Sequence, residues 1–381
     1  MTKRYQNFNR LSLMAMLLGI VSMTSCRKDY ADIPEPEKPK PVITGTKGIY
    51  MLCEGLMGSK NSEITYYDIE TGLVEKTYFE KVNRRPLGET ANDLEAYGSK
   101  MYCVISGIQG TKQSFVEVID IATGKSLKTI PFNSATDGQM PRYVAFHKGK
   151  AYVSRYDGVV SRIDTASMNV DAELQLMNGT DKAEGLEQLA VANGKLYVTN
   201  SSHPFYQKGL KTKVTVIDLN TFKKTKDIEV GNNPVRIAAA ENGNLFVITW
   251  NDYIAFNDPS LVTISSNTDL VLQTQKYDLG TITASKDQVW VTQDVYTNAA
   301  VKSVDVNTGK TGASLITDKT QISTLYGLTV NPFNKSVVVA DAQNYNSSTG
   351  HAYVFSMLGK RIYDFETAGL PQHAVFLYNY K

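Results

Sequence analysis

Cysteine and histidine are scarce in this chain of 381 residues, which carries only three Cys and four His. The histidines, His147, His203, His351 and His373, stand far apart with no His-x-His or His-x-x-x-His spacing, so no metal site built from sequence neighbours is visible. There is no Gly-x-Ser-x-Gly elbow and no phosphate loop. The residue patterns therefore predict no catalytic residues, no resident cofactor and no metal: a binding protein rather than an enzyme. An excess of charge of one sign is also missing. Lys plus Arg number 40 and Asp plus Glu 38, a net charge of +2, which offers no global field to attract nucleic acid or an anionic membrane. Recognition must be local.

A short stretch, Lys195-Leu196-Tyr197-Val198-Thr199-Asn200, returns in variants along most of the chain. Aligning its aromatic or the substitute places the copies at Tyr50, Tyr102, Tyr152, Tyr197, Phe246, Trp290 and Val338, with spacings of 52, 50, 45, 49, 44 and 48 residues. A period of this length marks a repeat architecture. Alternating β-branched and aromatic residues bounded by Gly, Asn or Asp read as strands. Four strands per repeat are clearest around residues 187–230, where Asn193-Gly194 supplies the two-residue hairpin turn that such alternation favours. The turns Asp68-Ile69-Glu70-Thr71-Gly72, Asp120-Ile121-Ala122-Thr123-Gly124 and Asp305-Val306-Asn307-Thr308-Gly309 share one chemistry: side chains that bond the turn backbone, then a glycine.

Four antiparallel strands repeated radially make a β-propeller, and seven copies predict seven blades. The first copy has no inner strand before it. Gly369 to Phe376 resembles the inner strands that start at Pro141 and Pro234, so the carboxyl terminus is expected to complete the first blade and close the ring. The sixth inner strand, near Thr281 to Ser285, is the weakest of the set.

The amino terminus carries a different signal. Lys3, Arg4 and Arg10 precede the apolar run Leu11 to Val21, which at 11 residues is too short to span a bilayer as a helix. Ser22-Met23-Thr24-Ser25-Cys26 follows and looks like the lipobox of a bacterial lipoprotein precursor, which implies that Cys26 is lipidated after cleavage. Residues 27–44 hold four prolines within ten residues and read as a tether. The expected organisation is thus signal segment 1–26, tether 27–44 and propeller 45–381. Cys53 and Cys103, in neighbouring blades, are expected to point the same way around the ring and to stay unbridged.

Loops joining second to third strands are rich in rings: Arg155-Tyr156, Phe205-Tyr206, Trp250 with Tyr253, Tyr296, and Tyr345. So many exposed aromatics imply something that covers them. Arg142, Arg236 and His373 begin inner strands and should ring the mouth of the channel, although a hydrogen-bonded structural role is the expectation for His373. Leu196 to Asn200 matches the YVTN-type propeller repeat. With the lipoprotein signal and tether, the whole layout resembles the surface cobalamin-binding propeller lipoproteins of Gram-negative gut bacteria. That resemblance implies outer-membrane anchoring, exposure on the cell surface, a cobalamin-like ligand and a TonB-dependent transporter as partner. The same aromatic loops suit a surface glycan- or protein-docking propeller, and composition alone does not separate the two.

Overall fold

The computed structural model describes residues 41–202, 211–250, 259–278, 280–293, 295 and 299–381. Ile43–Lys381 forms one compact unit. Within it lie seven four-stranded antiparallel sheets, the seven blades of a β-propeller. Adjacent inner strands contact one another all the way round.

Closure follows the sequence expectation. Pro371–Tyr380 pairs along Ile43–Cys53, from Ile43 opposite Tyr380 to Cys53 opposite Pro371, and becomes the inner strand of blade one. The sixth blade is complete, with a four-residue inner strand Ile282–Ser285 against Gln288–Gln293. In blade four the strands run Leu186–Ala192, Lys195–Asn200, Lys213–Asp218 and Lys223–Glu229. Asn193 and Gly194 both take positive φ, 49° and 71°, as the two central residues of such a hairpin turn must. Additions to the repeat are a short helix, Tyr78–Asn83, and a two-stranded ribbon formed by Met177–Asn178 and Asp181–Lys182.

The repeated aromatic is the core residue between blades. Tyr50, Tyr102, Tyr152, Tyr197, Phe246, Trp290 and Val338 are all at most 6% exposed, and each fully buried large side chain contributes roughly 1.5–3 kcal/mol relative to exposure. Tyrosine adds a reach that phenylalanine lacks: the Tyr50 hydroxyl donates to Ile121 O at 2.8 Å in blade two, and that of Tyr197 to Asp269 Oδ1 at 2.6 Å in blade five. The Asp-x-x-Thr turns close as their chemistry dictates. Asp68 Oδ1 accepts from Thr71 N at 2.8 Å, Asp120 Oδ1 from Thr123 N at 2.9 Å and Asp305 Oδ1 from Thr308 N at 2.7 Å. Cys53 and Cys103 are free thiols, buried in separate hydrophobic clusters, and burial pushes the Cys53 thiol up to about 12. Among the described residues no helix is long and apolar enough to cross a membrane.

Candidate functional site

The inner strands share an irregularity that builds the site. In six blades the pairing with the second strand slips at the inner strand's start, between Ala91 and Asp93, Pro141 and Val144, Leu186 and Leu189, Pro234 and Arg236, Leu325 and Gly327, and Pro371 and His373. Each slip is a β-bulge, which adds one residue to the strand and re-aims its side chains. The bulged positions supply Asn92, Arg142, Glu187, Tyr326 and Gln372. Gly327 is required beside the bulge of blade seven, because a Cβ there would lie 2.1 Å from Gln372 O.

All of these bulged residues but Glu187, which backs Arg142, converge on a chamber of about 320 Å³ at one mouth of the channel, lined by Glu54, Asn92, Arg142, Arg236, Trp250, Thr281, Tyr326, Tyr345 and Gln372, among others. Arg142 is fixed from several sides. Its Nε lies 3.2 Å from Glu187 Oε2, its Nη1 donates to Ser106 Oγ at 3.3 Å, and its guanidinium lies 4.6 Å from the centre of the Tyr156 ring. Burial pulls its pKa down, but Glu187, Tyr156, Tyr143 and Glu54 together outweigh that and raise it, so Arg142 is a permanent cation. Arg236 sits over the rings of Tyr143, at 5.1 Å, and Trp250, at 5.7 Å, donates to the Tyr143 hydroxyl, and has no carboxylate within 4.0 Å among the described residues. Glu54 accepts from the Tyr326 hydroxyl and from Gln372 Nε2 at 3.3 Å. Burial raises its carboxyl pKa, opposed by the Tyr326 hydrogen bond and by both arginines. A second cavity of about 600 Å³ shares Glu54 and Arg142 as walls and extends the site past Met57, Ile108, Met140 and Tyr156.

Of the residues expected from sequence, Arg142, Arg236, Trp250 and Tyr345 line the chamber together. Trp250 Nε1 donates to Gly280 O at 3.4 Å, which fixes the indole, and Tyr345 is 46% exposed. Tyr156 lies beside them, buried, its hydroxyl donating to Glu187 Oε1 at 2.8 Å. Arg155 does not join the chamber. It points into blade three, buried, where it pairs with Asp157 and Glu173 and donates to Ser161 Oγ at 3.0 Å, because as the last residue of strand Lys150–Arg155 its side chain follows the pleat into the sheet stack. His373 lines the central channel, with Nδ1 3.3 Å from Asp93 Oδ1. Phe205, Tyr206, Tyr253, Tyr296 and Cys26 lie outside the described residues.

Sequence reasoning passed over Glu54, Asn92, Tyr326 and Gln372. Gln372 was within reach, since Pro371-Gln372-His373 aligns with Pro141-Arg142-Tyr143 and puts Gln372 where Arg142 stands. The central channel, about 520 Å³, is lined by a set of small apolar side chains, Ala96, Ala145, Ala190, Ala238 and Ala284, beside larger ones such as Phe146 and Leu328. Asp93, Glu95 and His373 are the residues there whose chemistry suits a metal ion.

Comparison with known proteins agrees with this architecture. A quinonprotein alcohol dehydrogenase-like protein from Bacteroides thetaiotaomicron superposes with a TM-score of 0.62 at 17% identity, over 87% of this chain and 78% of its own. The computationally designed Ika8 protein superposes with a TM-score of 0.51 at 16% identity, over 85% of this chain and 88% of its own. Both likenesses concern the fold alone. In sequence, the chain is 28% identical over 264 residues to the zinc chaperone AztD of Citrobacter koseri, covering 62% of this chain and 58% of that relative's length. The family described as "Domain of unknown function (DUF5074)" matches residues 47–378, and the chain belongs to that family.

Proposed function

We propose that this chain is a lipid-anchored surface protein that captures a cobalamin-like corrinoid on the mouth of its propeller and passes it to an outer-membrane TonB-dependent transporter. The observation that carries the reading is the balance of the chamber. Arg142 and Arg236 share the wall with Glu54, and Arg142 is neutralised from behind by Glu187; Asn92, Gln372, Trp250, Tyr326 and Tyr345 complete the lining. Such a wall suits a neutral ligand that has both apolar surface and a rim of amide donors and acceptors. At about 320 Å³ the chamber is far smaller than a corrinoid, so it takes a carboxamide arm while the ring lies across the mouth and the adjoining 600 Å³ cavity. The zinc chaperone relative supports a carrier role in general without fixing the cargo.

The test is equilibrium dialysis of residues 43–381 against cobalamin and its precursor cobinamide, read by corrinoid absorbance. One molecule retained per chain, little changed by moderate salt, is the expected result. No retention at micromolar concentration removes the corrinoid reading, and binding that collapses with salt points to an anionic glycan or protein partner. For the anchor, Cys26→Ala should release the protein from the membrane fraction without lowering its melting temperature; unchanged fractionation removes that part of the proposal.

A further inference from the structure

Where the mouth chamber meets the central channel, the inner strands of blades one and two bring together Asp93, Glu95 and His373, with one donor atom from each within 4.8 Å of the others. We propose that these three side chains form a binding site for a divalent transition-metal ion that bridges the closing strand to its neighbour. The site is independent of the corrinoid reading.

Geometry comes first. Metal–donor bonds of about 2.0–2.2 Å in a tetrahedral site set donors about 3.3–3.6 Å apart. The Asp93 Oδ1 to His373 Nδ1 separation of 3.3 Å already meets that. Glu95 must supply the remaining adjustment, and it can. Its carboxylate has no hydrogen-bond or ion-pair partner among the described residues and it stands in the open channel. Asp93 is held rigidly, its Oδ2 accepting from Val144 N at 2.9 Å and its Oδ1 from Leu94 N at 3.0 Å.

The first of those bonds is of a kind that neutral groups make elsewhere in the ring. A channel-side residue clasps the backbone of the following blade at two other places, Gln188 Oε1 accepting from Ile237 N at 3.0 Å and Thr329 Oγ1 accepting from Ala374 N at 3.1 Å. Both clasps use neutral groups. At Asp93 the same task is given to a carboxylate, with a second carboxylate two residues on along the same face of the strand.

The charges of the cluster favour a cation: two carboxylates stand together with one imidazole, and no lysine or arginine lies within 4.0 Å of either carboxylate among the described residues. A neutral His373 imidazole offers a lone pair and no counter-charge. Arg236 and Arg142 are felt at Asp93 but lie more than 4.0 Å from its carboxylate. A dication bound by both carboxylates and the neutral imidazole would leave the site uncharged. An imidazole with two carboxylates favours a borderline first-row ion such as Zn²⁺ over Mg²⁺ or Ca²⁺, which prefer oxygen alone.

The experiment is titration of Zn²⁺ into residues 43–381, without corrinoid, in competition with a chromogenic chelator and followed by thermal melting. One Zn²⁺ per chain at micromolar affinity or tighter is expected, with a higher melting temperature, because an ion that binds only the folded ring stabilises it. Glu95→Gln should weaken binding at least tenfold and remove the melting shift, while His351→Gln, at the exposed His351–Asp364 pair, should change neither. Asp93→Asn keeps an acceptor for Val144 N and should also lose the metal. Wild-type protein that binds no Zn²⁺ at micromolar concentration, or Glu95→Gln protein that binds as wild type does, overturns the proposal.

Discussion

Two tyrosines of the repeat sit at equivalent positions and differ in one atom's surroundings. The hydroxyl of Tyr197 donates to Asp269, whereas that of Tyr102 is buried without a partner among the described residues. Losing a hydrogen bond to a charged group costs roughly 1.5–3 kcal/mol, and relieving an unsatisfied buried hydroxyl costs nothing. Tyr197→Phe should therefore lower the melting temperature measurably and Tyr102→Phe should leave it unchanged or raise it. Equal losses would show that the ring, not the hydroxyl, decides both. The same scale shows how far single residues could be read in advance. Arg142, Arg236 and Trp250 were legible because each combines a chemically informative side chain with a position at a strand end. Arg155 has the same address and the opposite role, since a pleat of period two turns alternate side chains away from one another and sequence does not display which phase a strand's last residue takes.

At the scale of the strand and turn, the sequence was legible almost throughout, because the period-two alternation, Asn193-Gly194 and the Asp-x-x-Thr turns are local chemistry. The bulges were not. An extra residue such as Asn92 or Tyr326 leaves the apolar pattern nearly intact and becomes visible only when the partner strand is aligned beside it, and it is the bulges that assemble the chamber. The turns also bear on acid stability. Backbone N–H donation from Thr71, Thr221 and Thr308 holds Asp68, Asp218 and Asp305 below the ordinary carboxylate range. A carboxylate whose folded pKa is depressed stabilises the fold above its unfolded value, near 4, and that contribution is lost as pH falls through the folded value. The melting temperature should thus decline from about pH 4 downward, and the triple change of Asp68, Asp218 and Asp305 to Asn, which keeps an acceptor without titrating, should flatten that decline. An unaltered acid slope would move the cause to other carboxylates.

The ring as a whole depends on its last strand. Pro371–Tyr380 pairs with the first strand and buries Ala374 and Phe376 between blades one and seven and Val375 between blades one and two. Deleting from Gly369 onward would strip blade one of its inner strand and leave an unpaired edge, so the truncated chain should aggregate or melt far below the intact one; a truncated monomer with an unchanged melting temperature would refute closure. Closure was readable because Pro371 to Phe376 repeats the inner-strand pattern. What converges at the centre was not, since Glu54, Asn92, Arg236, Tyr326 and Gln372 come from four blades and meet only in space. The claim on which the functional account rests is that this meeting point binds the ligand. Calorimetric titration of cobalamin into residues 43–381 and into the Trp250→Ala variant tests it most directly. The account predicts one site per chain, weakened at least tenfold by the substitution, about 1.4 kcal/mol or more, as for a buried aromatic anchor; equal affinity in the two proteins, or no heat of binding in either, would contradict it.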